Sequence, residues 1–495
     1  MSQSKAVSRA LASGFMFEPK AFDLISKLPP EVDVDGLVEL LLQRKGREAG
    51  GEDKRITEED IRQVIPSEIP VAAEEAWVQA PVDQSVEMEM VSDPTPAIAP
   101  ADAFEGFARL FRDRYDRLLS VVKKRPDTKN VGTISAGRAV SQGQKLKVAG
   151  LLSNKVNRRS NVEVTLDDPS GTLRATCQDD AVAKAAMEAP LDSMVVLEVS
   201  RSRSGRLYAN SLVLPDVPDR RVSGPAHRVY AVLLSDLHVG SKMFLADDFR
   251  RFIEWLNGKL GDLDVINRVK YVVVAGDLVD GVGVYPGQEL QLAEKDPKKQ
   301  YEAAAKLLEQ LPGRIQVVVS PGNHDAVRQA LPQPAVSPDF AESLYRMENV
   351  RWVGDPAYVK LHGVMFLIYH GKSLDDVIAT TPELAYSKPT DAMKLLLRAR
   401  HLAPTYGKRT ALAPELRDFM VVDPVPDVLH CGHVHAFGEL HYRGTLLVNS
   451  GTWQAQTSFQ SNMGLEPTPS IIPVVDLSDL SVTRRNFGSV GFPSA

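Results

Sequence analysis

The sequence predicts a multidomain protein whose second half is an α/β sandwich, preceded by an all-β barrel and a small N-terminal helical module. Three observations point there. The 495 residues exceed the ~250–300 at which single hydrophobic cores stop growing, and at ~150 residues per domain they predict about three domains. Short strands separated by turn signals run from about residue 143 to 214. From residue 228 onward apolar strands alternate with helical stretches.

Composition narrows the class. With 43% hydrophobic and 25% charged residues the chain is an ordinary globular protein, and wholesale disorder is excluded. The 58 Lys+Arg against 64 Asp+Glu leave a net charge of -6, which argues against a surface that coats nucleic acid throughout. That balance averages over domains, so a local DNA site is compatible with it. No stretch approaches the ~18 apolar residues of a spanning helix, so no membrane association is expected. Residues Met1 to Lys20 carry Lys5 and Arg9 with no apolar segment behind them, which predicts no signal peptide. Cys177 and Cys431 cannot build a disulfide framework, and a cytoplasmic protein is expected.

Five regions follow in order. Residues 1–65 read as a small helical interaction module, with Phe22, Leu24, Ile25 and Leu28 on one face and Leu37, Val38, Leu40, Leu41 and Leu42 on another. Thr57 and Asp60 have the spacing of a capping box that starts a third helix through Ile61, Val64 and Ile65. Residues 66–103 lack Lys and Arg, accumulate acids and carry Pro66, Pro70, Pro81, Pro94, Pro96 and Pro100, so an acidic Pro-rich linker is expected. Residues 104–126 predict an amphipathic helix with Phe104, Phe107, Phe111, Tyr115, Leu118 and Val122 on one side and seven basic residues on the other. Its basic face is a candidate DNA contact or an ordinary solvated surface. Residues 127–218 predict five strands and one helical insert, Asp180 to Glu188, which suits an OB-type barrel. Lys155, Arg158, Arg159, Arg201, Arg203 and Arg206 could line a single-strand groove there, but Tyr208 is the one aromatic available for stacking. A docking barrel is the favoured reading.

Residues 226–495 form the α/β domain. The runs Val229–Leu234, Tyr271–Ala275, Ile315–Ser320 and Val364–Tyr369 are continuously apolar, as strands buried on both faces should be. Each of these, and Val428–Cys431, is followed by metal-type donors, at the strand ends where α/β folds gather ligands. Asp236 and His238 are two apart, so both can face one ion. Asp277 follows Gly276 and can bridge two cations, Asn323 brings a neutral carbonyl oxygen, and His370, His433 and His435 bring imidazoles. Mixed N/O ligation without thiolate suits Mn, Fe or Zn better than a closed structural zinc site. Paired divalent ions hold the attacking and leaving oxygens of a displacement at phosphorus. His324, beside Asn323, is the natural proton donor to a leaving alkoxide, and Asp325 could orient it. His227, His362, His401, His430 and His441 lack such a setting and are read as structural. Trp453, Phe459 and Met463 are core or partner-facing, with partner contact slightly favoured. Lys394, Arg398, Arg400, Lys408 and Arg409, between His370 and His433, could grip a DNA backbone or simply be solvated.

These five segments resemble the calcineurin-like metallophosphoesterases. The run Tyr369-His370-Gly371-Lys372-Ser373-Leu374-Asp375-Asp376, with His433-Val434-His435-Ala436-Phe437-Gly438 and the stretch Asn449 to Thr457, is similar to the small subunit of archaeal family D DNA polymerase. The resemblance covers about residues 143–476. It implies that Asp236, His238, Asp277 and His435 hold one metal and that Asp277, Asn323, His370 and His433 hold a second. It further implies a Mn-dependent 3′–5′ exonuclease (Fe, Zn or Mg being alternatives) that proofreads at the replication fork. A large catalytic subunit and DNA with a 3′ end would be its partners. Two other readings compete: a stand-alone metallophosphatase or phosphodiesterase, and a non-catalytic scaffold subunit.

Overall fold

The computed structural model describes residues 10, 13, 15–18, 21, 34–48, 55–64, 86–98, 102–158, 161–222, 224–462 and 464–488. Residues 1–84 and 85–495 are separate compact units. In the first, the helix Val34–Glu48 and a two-residue parallel pairing of Met16–Phe17 with Arg55–Ile56 enclose Val34, Val38, Leu41, Ile56 and Ile61. The short helix Glu58–Arg62 starts on a reciprocal capping box, Asp60 N–H donating to Thr57 Oγ1 and Thr57 N–H to Asp60 Oδ2. The face assigned to Phe22, Leu24, Ile25 and Leu28 lies outside the described residues.

In the second unit, two six-stranded sheets pack face to face. The first runs Val350–Trp352, Gln316–Ser320, Val269–Ala275, Tyr230–Leu234, Ile471–Asp476, Val482–Asn486, and its first four strands are parallel. The second runs Phe437–Tyr442, Thr445–Ser450, Val428–Cys431, Val364–Ile368, Ala357–Leu361, Met88–Ser92, with Val364–Ile368, Val428–Cys431 and Thr445–Ser450 parallel. Residues Ala231, Leu233, Val273, Val318, Val359, Phe366, Val428 and Val448 fill the space between them. The outer face of the first sheet is covered by helices Ala246–Leu256 and Pro297–Leu308, through Phe249, Phe252, Trp255, Tyr301 and Ala304. Helices Leu374–Thr380 and Pro389–Ala399 cover the second. Burial on both faces is why the central strands of both sheets read as largely apolar runs.

Ahead of the sandwich, strands Lys145–Arg158, Asn161–Asp168, Gly171–Cys177, Leu207–Val213 and Met194–Arg201 close into a barrel in that order. The helix Asp180–Glu188 follows the third strand in sequence, capped by Asp179 accepting from Val182 N–H. No helix among the described residues is long and apolar enough to cross a membrane.

Three expectations are corrected. Residues 88–92, read as linker, are the edge strand of the second sheet, paired antiparallel from Met88 opposite Leu361 to Ser92 opposite Tyr358. An edge strand tolerates the acids that suggested a linker, and Glu89 reaches Lys360 Nζ at 3.2 Å. Asp93 then secures the segment, accepting from Gly354 N–H at 3.0 Å. Trp453 is core, 2% exposed and 4.9 Å from the Phe249 ring; Met463 and the Phe459 side chain lie outside what the structure describes.

The third correction concerns basic residues offered to DNA, many of which are spent inside the molecule. On the helix Ala103–Lys123, Arg114 is fully buried against Asp418, Arg117 donates to the Asp418 carbonyl, and Arg125 beyond it donates to the Leu214 carbonyl. Lys155 donates to the carbonyls of Met187 and Ala189, its pKa pushed down by burial to about 8. Arg201 donates to the Val140 carbonyl, and Arg400 is buried beside Asp423. Others stay exposed, among them Arg109, Arg112, Arg158, Arg203, Arg206, Lys408 and Arg409.

Candidate metal centre

Loops that follow five strand ends converge on one cleft. Their backbones are stitched together: Asp236 N–H donates to the Gly276 carbonyl, His238 N–H to Asp277, and Gly432 N–H to His370. Asp236, His238, Asp277, His433 and His435 all have φ between 51° and 67°, a left-handed region that costs non-glycine residues energy and in which residues cluster at functional sites. The approach is close enough to exclude side chains. A Cβ on Gly322 would lie 2.1 Å from Asp277 Oδ1, and one on Gly432 would lie 2.4 Å from Asp236 Oδ2. Gly322→Ala is therefore expected to weaken divalent-metal binding by roughly 10–100-fold with the fold retained, read by calorimetric metal titration and circular dichroism.

All seven donors read from the sequence meet here, in two overlapping sets. In the first, His238 Nε2 and His435 Nε2 are 3.1 Å apart and lie 3.9 and 3.3 Å from Asp236 Oδ1. Asp277 Oδ2 is 3.9 Å from His238 Nε2 and 3.3 Å from His370 Nε2, so it faces both sets. In the second, Asn323 Oδ1 is 3.0 Å from His370 Nε2 and 2.9 Å from His433 Nδ1. Asp236, His238, Asp277 and His370 are buried, whereas Asn323, His324 and His433 border the opening.

The opposite ring nitrogens decide which lone pairs face inward. His238 Nδ1–H donates to Asp280 Oδ1 at 2.9 Å, His370 Nδ1–H to the Ala275 carbonyl at 2.9 Å, and His433 Nε2–H to Asp375 Oδ2 at 3.2 Å. That leaves His238 Nε2, His370 Nε2 and His433 Nδ1 as bases pointed at the centre, the arrangement a metal-ligating imidazole requires. His435 Nδ1 lies 2.8 Å from Gln460 Nε2.

Electrostatics agree with a cation site. Burial alone would raise the Asp277 carboxyl, but His370, His324 and His238 hold it well below the usual carboxylate range. Burial opposes charge on His370 too, yet Asp277 and Asp236 lift it to about 10. The carboxylates thus draw compensating positive charge into a dry pocket, which divalent ions on this N/O donor set would supply directly.

His324 lines the same cleft, with its Nδ1–H donating to the Asp280 carbonyl at 2.7 Å and Asp280 Oδ1 3.8 Å away. The expectation that Asp325 orients it is corrected. Asp325 accepts from Gly322 N–H at 2.9 Å and Tyr301 Oη–H at 2.9 Å, and burial with Asp277 raises its pKa to about 6. It braces the loop from beneath and does not touch the ring. Asp280 and Asp375, which orient His238 and His433, escaped the sequence reading. Their signal was position, Asp280 three residues after Asp277 and Asp375 five after His370.

Two sheets back to back with mixed N/O donors at their strand ends have the layout implied by the resemblance to calcineurin-like metallophosphoesterases. Residues 231–439 match the family model for the B subunits of DNA polymerases alpha and epsilon. The DNA polymerase II small subunit of Archaeoglobus fulgidus is 38% identical over 490 residues, covering 97% of either chain. That of Pyrococcus furiosus is 40% identical over 386 residues, 77% of this chain and 63% of its own length. The chain thus spans just under two thirds of the Pyrococcus protein and nearly all of the Archaeoglobus one. A solved archaeal phosphodiesterase is 16% identical, covering 52% of this chain and 99% of its own at a TM-score of 0.27, too low for any reading to rest on. The chain belongs to the DNA polymerase II small subunit family.

Proposed function

We propose that this chain is the proofreading subunit of a two-subunit replicative DNA polymerase and hydrolyses DNA phosphodiesters from the 3′ end. The observation that carries the reading is the complete donor set with His324 beside it: seven ligands converge, and no ligand position is filled by an inert residue. Asp236, His238, Asp277 and His435 would hold one divalent ion and Asp277, Asn323, His370 and His433 another. Mn is the first candidate, then Fe, Zn or Mg. Such ions, when bound, supply Lewis acidity at phosphorus and hydroxide near neutral pH.

The chain's own residues do the rest. Asp280 fixes the His238 ring through its side chain and the His324 ring through its carbonyl. The tautomer with the proton on Nδ1 is set on both rings, so His324 presents Nε2 to the cleft. As an imidazolium it carries a second proton on Nε2, which it can pass to the departing 3′ oxygen. Asp375 holds His433 in the same way. The remaining assignments stand with this reading. The barrel's strand order and its helix between third and fourth strands support an OB-type docking domain. The family name "small subunit" supports a large catalytic subunit as partner. Residues 1–65 are an interaction module.

The full chain is expected to shorten 3′-labelled single-stranded and mismatched-end DNA stepwise in the presence of Mn. His324→Ala should lower kcat by roughly 10²–10⁴-fold while Mn binding persists. Hydrolysis of p-nitrophenyl phosphate without DNA degradation would favour a stand-alone phosphatase. Full metal occupancy with no hydrolysis of any ester would favour a scaffold.

A further inference from the structure

A second cavity lies beyond His324. It measures about 540 Å³ and its apolar lining includes Val282, Val284, Val327 and Phe340. The metal cleft itself, about 270 Å³, shares Val284, Asn323 and His324 with it. The two spaces therefore meet at the imidazole that would protonate the leaving oxygen.

We infer that this cavity holds the base of the nucleotide that keeps the new 3′ end, an assignment that rests on the nuclease reading above. In 3′–5′ hydrolysis the P–O3′ bond breaks. The water oxygen bonds to phosphorus and the terminal unit leaves as a nucleoside 5′-monophosphate, while His324 gives its proton to O3′ and the proton lost by the water passes to solvent. The nucleoside that owns O3′ thus sits on the His324 side, where the cavity continues.

Its walls are built to stay in place. Gly281 has φ 69°, and a Cβ there would lie 2.1 Å from the His324 carbonyl oxygen. Gly281 N–H donates to Gln300 Oε1 at 2.8 Å and Val284 N–H to Gln288 Oε1 at 2.9 Å. Between those anchors Val282 is 45% exposed, and Phe340 is 36% exposed on the facing helix Pro338–Tyr345. The polar groups nearby are engaged elsewhere: Arg328 with Glu415 at 2.6 Å, and Gln329 Nε2–H with the Asn323 carbonyl at 2.7 Å. The surface facing the cavity is mainly apolar, with polar side chains such as Arg328, Gln329 and Ser337 among its lining, a mixture suited to a flat heterocycle that carries hydrogen-bonding edges. A paired base cannot enter it, so the subsite would select unpaired 3′ ends at the cost of unstacking duplex ones.

The test uses the full chain with Mn and single-stranded oligonucleotides that are intact or carry a base-free tetrahydrofuran unit at the penultimate 3′ position. Removing that base should raise KM by about ten-fold in the unsubstituted chain, the scale of one stacked base. Phe340→Ser and Val282→Ser, both on exposed side chains, should each raise KM on intact DNA and make the base-free unit cost little more. That non-additivity is the signature of contact. A KM indifferent to the base-free unit, or costs that multiply in full, would overturn the subsite and leave the nuclease standing. If the unsubstituted chain degrades no DNA, the nuclease reading fails and the subsite with it.

Discussion

In the proposed two-metal nuclease, Asp277→Asn should lower DNA hydrolysis by roughly 10³-fold or more and reduce bound Mn from about two ions per chain to one or fewer. The substitution keeps the shape of the side chain and removes its charge. Asp277 Oδ2 is the oxygen that faces both donor sets, 3.9 Å from His238 Nε2 and 3.3 Å from His370 Nε2. Its other oxygen accepts from His324 N–H at 2.8 Å, so this one carboxylate also places His324. Ligands on a single set, such as Asn323, should cost less because the other set survives their loss. Mn should raise the melting temperature of the unsubstituted chain, since a ligand that binds only the folded form stabilises it by mass action. In Asp277→Asn that rise should shrink or vanish. Retention of more than a tenth of the activity, or an unchanged Mn-dependent rise, would contradict a bridging role.

The donor set was legible in the sequence because its chemistry is written in residue type and its position in strand ends. Asp236, His238, Asp277, Asn323 and His370 each follow a largely apolar run that is hard to mistake, and His433 and His435 follow the short strand Val428–Cys431. Orientation was not legible. Whether Asp325 or Asp280 meets the His324 ring depends on which way a tight loop turns, and adjacency in sequence favoured the wrong one. The basic residues misled for a related reason. Composition shows that Arg114 is charged, but not that Asp418, 304 positions later, lies 2.7 Å away. The strand Met88–Ser92 stayed hidden because an edge strand carries none of the unbroken apolarity that marks a central one. Its pairing partner follows more than 260 residues later.

Asp418→Ala should destabilise the fold by about 3–5 kcal/mol, the usual cost of stranding one member of a buried ion pair. Arg114 is fully buried and donates Nε–H to Asp418 Oδ2 at 2.7 Å. His401 donates Nε2–H to the same oxygen at 2.9 Å and accepts from Ala403 N–H through Nδ1 at 3.1 Å. Protonating His401 would set a second N–H against that of Ala403. Burial, reinforced by Arg114, accordingly pushes its pKa down to about 4. The unfolded chain binds this proton near pH 6.5, so the stability held by neutral His401 is present above that pH. It is lost as pH falls from about 6.5 to 4, a change on the order of 3 kcal/mol. Asp418, held far below the usual carboxylate range by His401 and Arg114 against the effect of burial, contributes nothing to that window. Its own contribution disappears only below about pH 4. His401→Gln keeps a donor and an acceptor but cannot titrate. Urea melts of both chains at pH 7 and pH 4.5, compared as a difference so that the imidazoles of the metal centre cancel, should show the acid loss reduced in the Gln variant. Equal losses in the two chains would mean that His401 is not the group that protonates.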